Sequence, residues 1–215
     1  MNSEKINFKI ILVLVLYLSS LLAANTLGLK LMPFLFGTHL SVAVFFFPFV
    51  FLSTDVIGQV YGKVWAKNFV YAGLLATALF TLYAALSLSL PWSTTNEKLP
   101  EAYALIFGVS LRMSLASLLA FFIAEYQDVI AFFFFKKLLH GRFFWLQSNL
   151  SNIWSQLLDT LIFMFVAFAG IYPFKTIILA SLPWWLYKVA MGFAYTPLSY
   201  LGVYLLRYGN TRPQD

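Results

Sequence analysis

Apolar residues run through this 215-residue chain in long blocks parted by short polar breaks, so blocks rather than alternation predict its secondary structure. An apolar stretch of about 18 residues or more predicts a membrane-spanning helix, because some 20 residues at about 1.5 Å rise cross the hydrocarbon layer. Six spans are predicted, at 10–28, 40–61, 69–90, 103–125, 152–171 and 176–206. The fourth block continues past Glu125 toward Lys136 and is too long for one straight crossing. The last holds 31 residues with Pro183 and Pro197 inside; one kinked helix and a short re-entrant piece followed by a span both fit it. The first follows Lys5 and Lys9, as a signal peptide would. It is long for a signal-peptide core, however, and no clean A-x-A site follows.

Composition agrees with that division. Hydrophobic residues make up 61% of the chain and charged residues 10%, against about 45–50% and about 25% in soluble domains. Soluble enzymes, disordered chains and extended nucleic-acid binders are excluded on that ground. Residues 1–215 are expected to form a single integral membrane domain, with the lipid bilayer as its solvent. The formal charge is +6, but the cations are spread over predicted loops rather than gathered in a basic stripe, so no nucleic-acid partner is expected. With the amino terminus inside, cytoplasmic segments hold nine Lys and Arg and outer loops three. This positive-inside asymmetry predicts both termini cytoplasmic. There is no cysteine, and His39 and His140 fall in predicted loops, so no metal site and no cofactor is expected. Phosphate-loop, zincin and nucleophile-elbow motifs are absent, which argues against an enzyme. An aspartyl dyad of Glu125 and Asp128 would have both acids on one helix, a poor geometry for flanking a scissile bond.

Six ionisable residues lie in or at the edge of spans: Asp55, Arg112, Glu125, Asp128, Asp159 and Lys188. Each opposes insertion by about 2.5–3.5 kcal/mol at a helix centre, so each needs a partner or a function. Internal ion pairs that fix helix packing are the structural reading. Polar neighbours at helical spacing favour a solute site instead. Asp55 and Gln59 are one turn apart, beside Ser53 and Thr54. Ser114, Ser117, Phe121, Glu125 and Asp128 share one sector of their helix, which Arg112 does not. Asn152, Ser155, Gln156 and Asp159 follow i, i+3, i+4 and i+7. Arg112, Asp159 and Lys188 lie roughly 13–21 Å inside their spans and can meet near mid-membrane. The fold class expected is therefore an all-α membrane protein of six transmembrane helices with a mid-membrane solute site between them. Four acids against two bases suit a solute with several N–H donors or a positive charge, and Trp184, Trp185, Phe121 and Tyr126 are available to stack on a ring. A short echo also occurs: Asp55-Val56-Ile57 precedes Lys63, and Asp128-Val129-Ile130 precedes Lys136, eight residues from Asp to Lys each time.

Several segments together resemble a known family. They are Phe47-Pro48-Phe49-Val50-Phe51-Leu52-Ser53-Thr54-Asp55-Val56 with Val60-Tyr61-Gly62-Lys63, Ala24-Asn25 before them, and Arg112-Met113-Ser114-Leu115-Ala116-Ser117 with Asp128 after. Asp159-Thr160, Lys188 and Pro197 complete the ordered set. This pattern resembles the queuosine-precursor transporter family, also called the vitamin-uptake-transporter family; Gln59 departs from it, where many members have Glu. The resemblance implies an importer in the bacterial inner membrane for 7-cyano-7-deazaguanine or its aminomethyl form, salvaged for queuosine in tRNA, without tRNA binding. It implies solute contacts among Asn25, Asp55, Gln59, Arg112, Ser117, Phe121, Glu125, Asp128, Gln156, Asp159, Trp185 and Lys188. Asp159 and Asp55 are expected to accept N–H groups of the deazaguanine, with Glu125 third and Trp185 or Phe121 stacking. Other small heterocycles, such as a vitamin or nucleobase, are the nearest alternative, and a non-transporting membrane assembly protein is the alternative of a different class. A homo-oligomer and an external ATPase partner, as used by the S-components of energy-coupling-factor transporters, stay open. So does the choice between proton coupling and facilitated diffusion.

Overall fold

The structure is a computed structural model that describes residues 8–28, 30–33, 39–93, 98–107 and 111–207. Seven α-helices dominate the described residues: α1 (Phe8–Leu27), α2 (Phe47–Tyr61), α3 (Lys63–Ser89), α4 (Lys98–Phe107), α5 (Leu111–Leu138), α6 (Phe144–Phe168) and α7 (Phe174–Arg207). Between α1 and α2 lie two three-residue antiparallel strands, β1 (Leu31–Pro33) and β2 (His39–Ser41), and a 3-10 turn (Val42–Phe45).

Five helices are long and apolar enough to cross a membrane: α1, α3, α5, α6 and α7. Their outward residues, such as Leu75, Leu82 and Leu86 on α3 and Leu179, Leu186 and Leu201 on α7, are exposed leucines. The buried residues include Asp55, Glu125, Asp128, Gln147, Asn149 and Gln156. A chain that is apolar outside and polar inside is solvated by lipid, since exposed leucine and buried carboxyl are each costly in water-soluble folds. This is a multi-pass membrane protein.

Three predicted boundaries move. The second block, expected as a span at 40–61, is helical only over the 15 residues of α2. Proline lacks an N–H and fits a helix only in its first turn, so Pro48 sets the start there. At about 22 Å, α2 is shorter than the hydrocarbon layer. It is instead surrounded by protein, with every residue from 50 to 58 buried and with α1, α3, α5, α6 and α7 all packed against it. The block expected as 103–125 holds the end of α4, described to Phe107, and α5, described from Leu111, which continues past Glu125 to Leu138; residues 108–110 lie outside the described residues. The last block is one helix of 34 residues that includes both prolines. Ser181 and Thr196 bond back to the carbonyls of Ile177 (2.7 Å) and Gly192 (3.3 Å) close to those prolines.

Helices in lipid gain little from apolar burial, so small residues at close contacts do more of the packing. A Cβ on Gly58 would meet Phe133 at 3.3 Å, and one on Gly202 would meet Val56 at 3.2 Å. Gly73 of α3 is a tighter case than either, as its missing Cβ leaves room for the ring of Tyr17, which is wholly buried on α1. Gly73→Val should therefore destabilise the protein by about 1–3 kcal/mol through overpacking. Thermal unfolding in detergent checks this, and an unchanged midpoint would show that the α1–α3 contact yields freely. Between α2 and α3, Gly62 turns the chain with φ of 91°, which only glycine adopts without strain.

Candidate functional site

The polar residues of α6 fall into two neighbouring stripes, each facing a different partner. Ser148, Ser151 and Ser155 face α2 and α5. Ser148 donates to Oδ2 of Asp55, and Ser155 donates to Oδ1 of Asp128 at 2.8 Å, with Ser151 also in hydrogen-bonding range of Asp128. Asn152, Gln156 and Asp159 face α7.

On the α7 side the centre is an ion pair. Lys188 Nζ donates to Asp159 Oδ2 at 2.5 Å, the one Lys/Arg–Asp/Glu salt bridge among the described residues. Both residues lie roughly 21–23 Å along their helices from the N-terminal ends. Lys188 Nζ also sits 5.3 Å from the centroid of the Phe47 ring, in cation–π range. Around this pair Phe47, Pro48, Asn152, Gln156, Lys188 and Gly192 line a narrow cleft with a cavity volume of about 10 Å³. Buried inside it, Asn152 Oδ1 and Gln156 Oε1 have no hydrogen-bond partner, and one turn further Thr160 Oγ1 has none either. Gly192 is part of the construction, because a Cβ there would strike the Asn152 amide. The first turn of α2 ends in this cleft, as discontinuous helices of transporters do at their solute sites.

The second constellation is a cluster of three fully buried acids. Asp55 of α2 and Asp128 of α5 both face the serines of α6, Asp55 through Ser148 and Asp128 through Ser155. Glu125, one turn before Asp128, takes the Tyr17 hydroxyl on Oε2 at 3.5 Å and leaves Oε1 without a partner. The donors to this cluster among the described residues are hydroxyls, from Tyr17, Ser148 and Ser155.

The echo noted in the sequence acquires a spatial meaning here. Its two aspartates meet, and eight residues on Lys63 and Lys136 lie 6.0 and 5.4 Å from the same ring, Phe133. The two segments therefore run side by side in the same direction, as two parallel repeats would about an axis between them.

Of the expected contact residues, Gln156 and Lys188 line the cleft and Asp159 stands directly behind Lys188. Asp55, Glu125 and Asp128 come together, but away from the cleft. Ser117 donates to Asn25 Oδ1 at 3.4 Å, a link between α5 and α1. Phe121 is packed in the core with Tyr17 and Ile57. Trp185 uses its indole N–H on the Ile153 carbonyl at 3.0 Å, tying α7 to α6. Gln59 is half-buried, with Oε1 unpartnered. The side chain of Arg112 lies outside the described residues. Sequence reasoning did not single out Phe47, Pro48 or Gly192 as cleft residues, nor Ser148 and Ser151. The serines had a usable signal, because they extend the α6 polar stripe backwards by one and two turns.

A family profile described as "Putative vitamin uptake transporter" matches residues 41–202. The chain belongs to that family. It is 31% identical over 169 residues to the "Probable queuosine precursor transporter" of Bacillus subtilis (strain 168), covering 77% of this chain and 72% of that one. It is 30% identical over 132 residues to the "Queuosine precursor transporter" of Escherichia coli (strain K12), covering 61% and 57%. No solved structure matches it. As a member of this transporter family the protein is a transporter and not an enzyme.

Proposed function

We propose that this vitamin uptake transporter imports 7-deazaguanine queuosine precursors, 7-cyano-7-deazaguanine and its aminomethyl form, across the bacterial inner membrane. The observation that carries this reading is the similarity to relatives named for that solute over most of the chain. In the proposed arrangement six segments cross the membrane, with α2 and the 3-10 turn before it as the short one, and both chain ends face the cytoplasm.

The cleft between α2, α6 and α7 has the chemistry a deazaguanine needs. The Phe47 ring provides a stacking face. The Gln156 and Asn152 carbonyls accept the ring N–H and the exocyclic amino group, which would satisfy two acceptors now unpartnered. Lys188 donates to the ring carbonyl, and Asp159 holds Lys188 in place or accepts from the amino group in its stead. Solute pockets usually enclose roughly 300–1,000 Å³, so the cleft must widen to admit a bicyclic base. Helix α7, interrupted by two prolines on either side of Lys188, is the element suited to yield.

The test is expression in a bacterium that needs external precursor and lacks its own transporter. Queuosine in tRNA should return at low external 7-cyano-7-deazaguanine. No return despite good membrane expression would sink the reading. Competition against labelled precursor by guanine and by biotin then defines the solute class: displacement by biotin but not by deazaguanines would redirect the assignment to a vitamin.

A further inference from the structure

We infer that the buried acids Asp55, Asp128 and Glu125 form a proton-binding site, and that this site couples solute movement to proton movement in the same direction. The inference rests on the transport reading above.

The first argument is chemical. Asp55 and Asp128 are both buried where α2, α5 and α6 meet, and two ionised carboxylates placed so repel each other, a repulsion that one bound proton removes. The second is the supply of partners. Asp55 is 2% exposed, and Glu125 and Asp128 are not exposed at all. Their hydrogen-bond partners among the described residues are hydroxyls, and no salt bridge to any of the three exists among those residues. Three ionised carboxylates buried together without a cation would be penalised by several kcal/mol each. Protons are the simplest charge to offset this. No group of acids placed to hold a metal ion occurs among the described residues. The third is that one oxygen on Glu125 and one on Asp128 lack a hydrogen-bond donor. Each is a position that an acquired proton can occupy without displacing an existing hydrogen bond.

The charged and titratable groups around the cluster leave it in this condition. Helix α1 presents Tyr17, already bonded to Glu125. Helix α6 presents Asp159, and α7 presents Lys188, which is engaged with Asp159. From α3, Lys67 is bonded to the Tyr126 hydroxyl at 2.8 Å, and Lys63 lies over Phe133. On α5 itself, Lys136 lies over the Phe132 and Phe133 rings.

Coupling follows from which helices are shared. Helix α2 carries Phe47 and Pro48 in the cleft and Asp55 in the cluster. Helix α6 carries Asn152 and Gln156 in the cleft, and the serines that bond Asp55 and Asp128. A solute that spreads the cleft must shift the same two helices that hold the carboxyl pair together. Conversely, loss of the shared proton turns the Asp55–Asp128 contact repulsive and drives α2 from α5. The pair sits where the two echoed segments meet, the place where relative motion of two repeats changes contacts most.

The experiment uses the full-length protein in liposomes loaded with a pH-sensitive dye, with membrane potential clamped by potassium and valinomycin. An acid-outside gradient should drive labelled 7-cyano-7-deazaguanine to at least tenfold above its equilibrium level. Adding unlabelled solute should acidify the lumen. Asp128→Asn and Asp55→Asn should lose the gradient-driven accumulation by tenfold or more relative to their own solute exchange. Exchange by wild type with no response to the gradient and no acidification would overturn coupling while leaving transport intact. Accumulation that follows a sodium gradient instead would also overturn it. No solute exchange by correctly reconstituted wild type would overturn the transport reading itself. If the Asn variants fail to insert, the wild-type gradient and dye measurements decide alone, and Ser148→Ala, which keeps all three carboxyls, should displace the pH profile of uptake.

Discussion

Lys188→Met should reduce solute uptake by about a hundredfold or more in kcat/KM, the largest effect expected of any single substitution in the cleft. Methionine keeps the length of the side chain but removes the charge, so Asp159 loses the donor now held at 2.5 Å. Removing one partner of an interior ion pair is worth about 3–5 kcal/mol, while a hundredfold change corresponds to about 2.7 kcal/mol. Part of that loss appears as reduced abundance and part as reduced affinity, and the double variant Lys188→Met with Asp159→Asn separates them. With both charges gone nothing is left unpaired, so abundance in the membrane should recover. Uptake should stay low, because the donor to the solute and the cation over Phe47 are both missing. Recovery of uptake in the double variant would mark the pair as a packing bridge only. Asp159→Asn alone should weaken affinity by about tenfold and, by leaving Lys188 without its carboxylate, lower abundance as Lys188→Met does.

The second large effect is expected at Gln156. Gln156→Leu conserves most of the volume and removes the unpartnered carbonyl that faces the cleft. Affinity for 7-cyano-7-deazaguanine should fall at least tenfold, about 1.4 kcal/mol, with stability unchanged or improved because a buried polar group is gone. Gly192→Ala approaches the same site from the other helix. Its Cβ would displace the Asn152 amide, and since that amide ends a flexible side chain the fold absorbs the change while the solute contact does not. A similar loss of affinity is expected. Binding measured by solute-induced thermal stabilisation checks both, and wild-type affinity in Gln156→Leu would move the solute site out of this cleft.

Much of this site was legible before any coordinates. The depth of Asp159 and Lys188 in their apolar blocks brought them level, and a charge in lipid must find its partner at its own depth. The i, i+3, i+4 spacing placed Glu125 and Asp128 on one helical face, and both are buried together. Less legible was the start of α6. Its first two turns, with Gln147, Ser148, Asn149 and Ser151, are too polar to count toward a span, yet they are helical and buried because they face Asp55 and the other helices rather than lipid. Hydropathy reports what a segment would do alone in a bilayer, and misses polar residues satisfied by neighbours. The same reason hid the true form of α2, whose 15 residues suffice because protein surrounds them.

What the sequence determined by itself was the solvent of this protein, its helical class and the few polar residues that lipid would not tolerate. Block hydrophobicity and helical periodicity are local properties, and they fully express those facts. The tertiary structure decided how the polar residues divide. It gave Lys188 to Asp159 beside a cleft, and set Asp55 against Asp128 among hydroxyls. That division depends on the rotation and register of α2, α5, α6 and α7 against one another. Register of this kind is set by contacts such as Val56 on Gly202 and Asn152 on Gly192, in which a missing side chain on one helix admits a side chain from another. No periodicity within a single helix records which helix that will be.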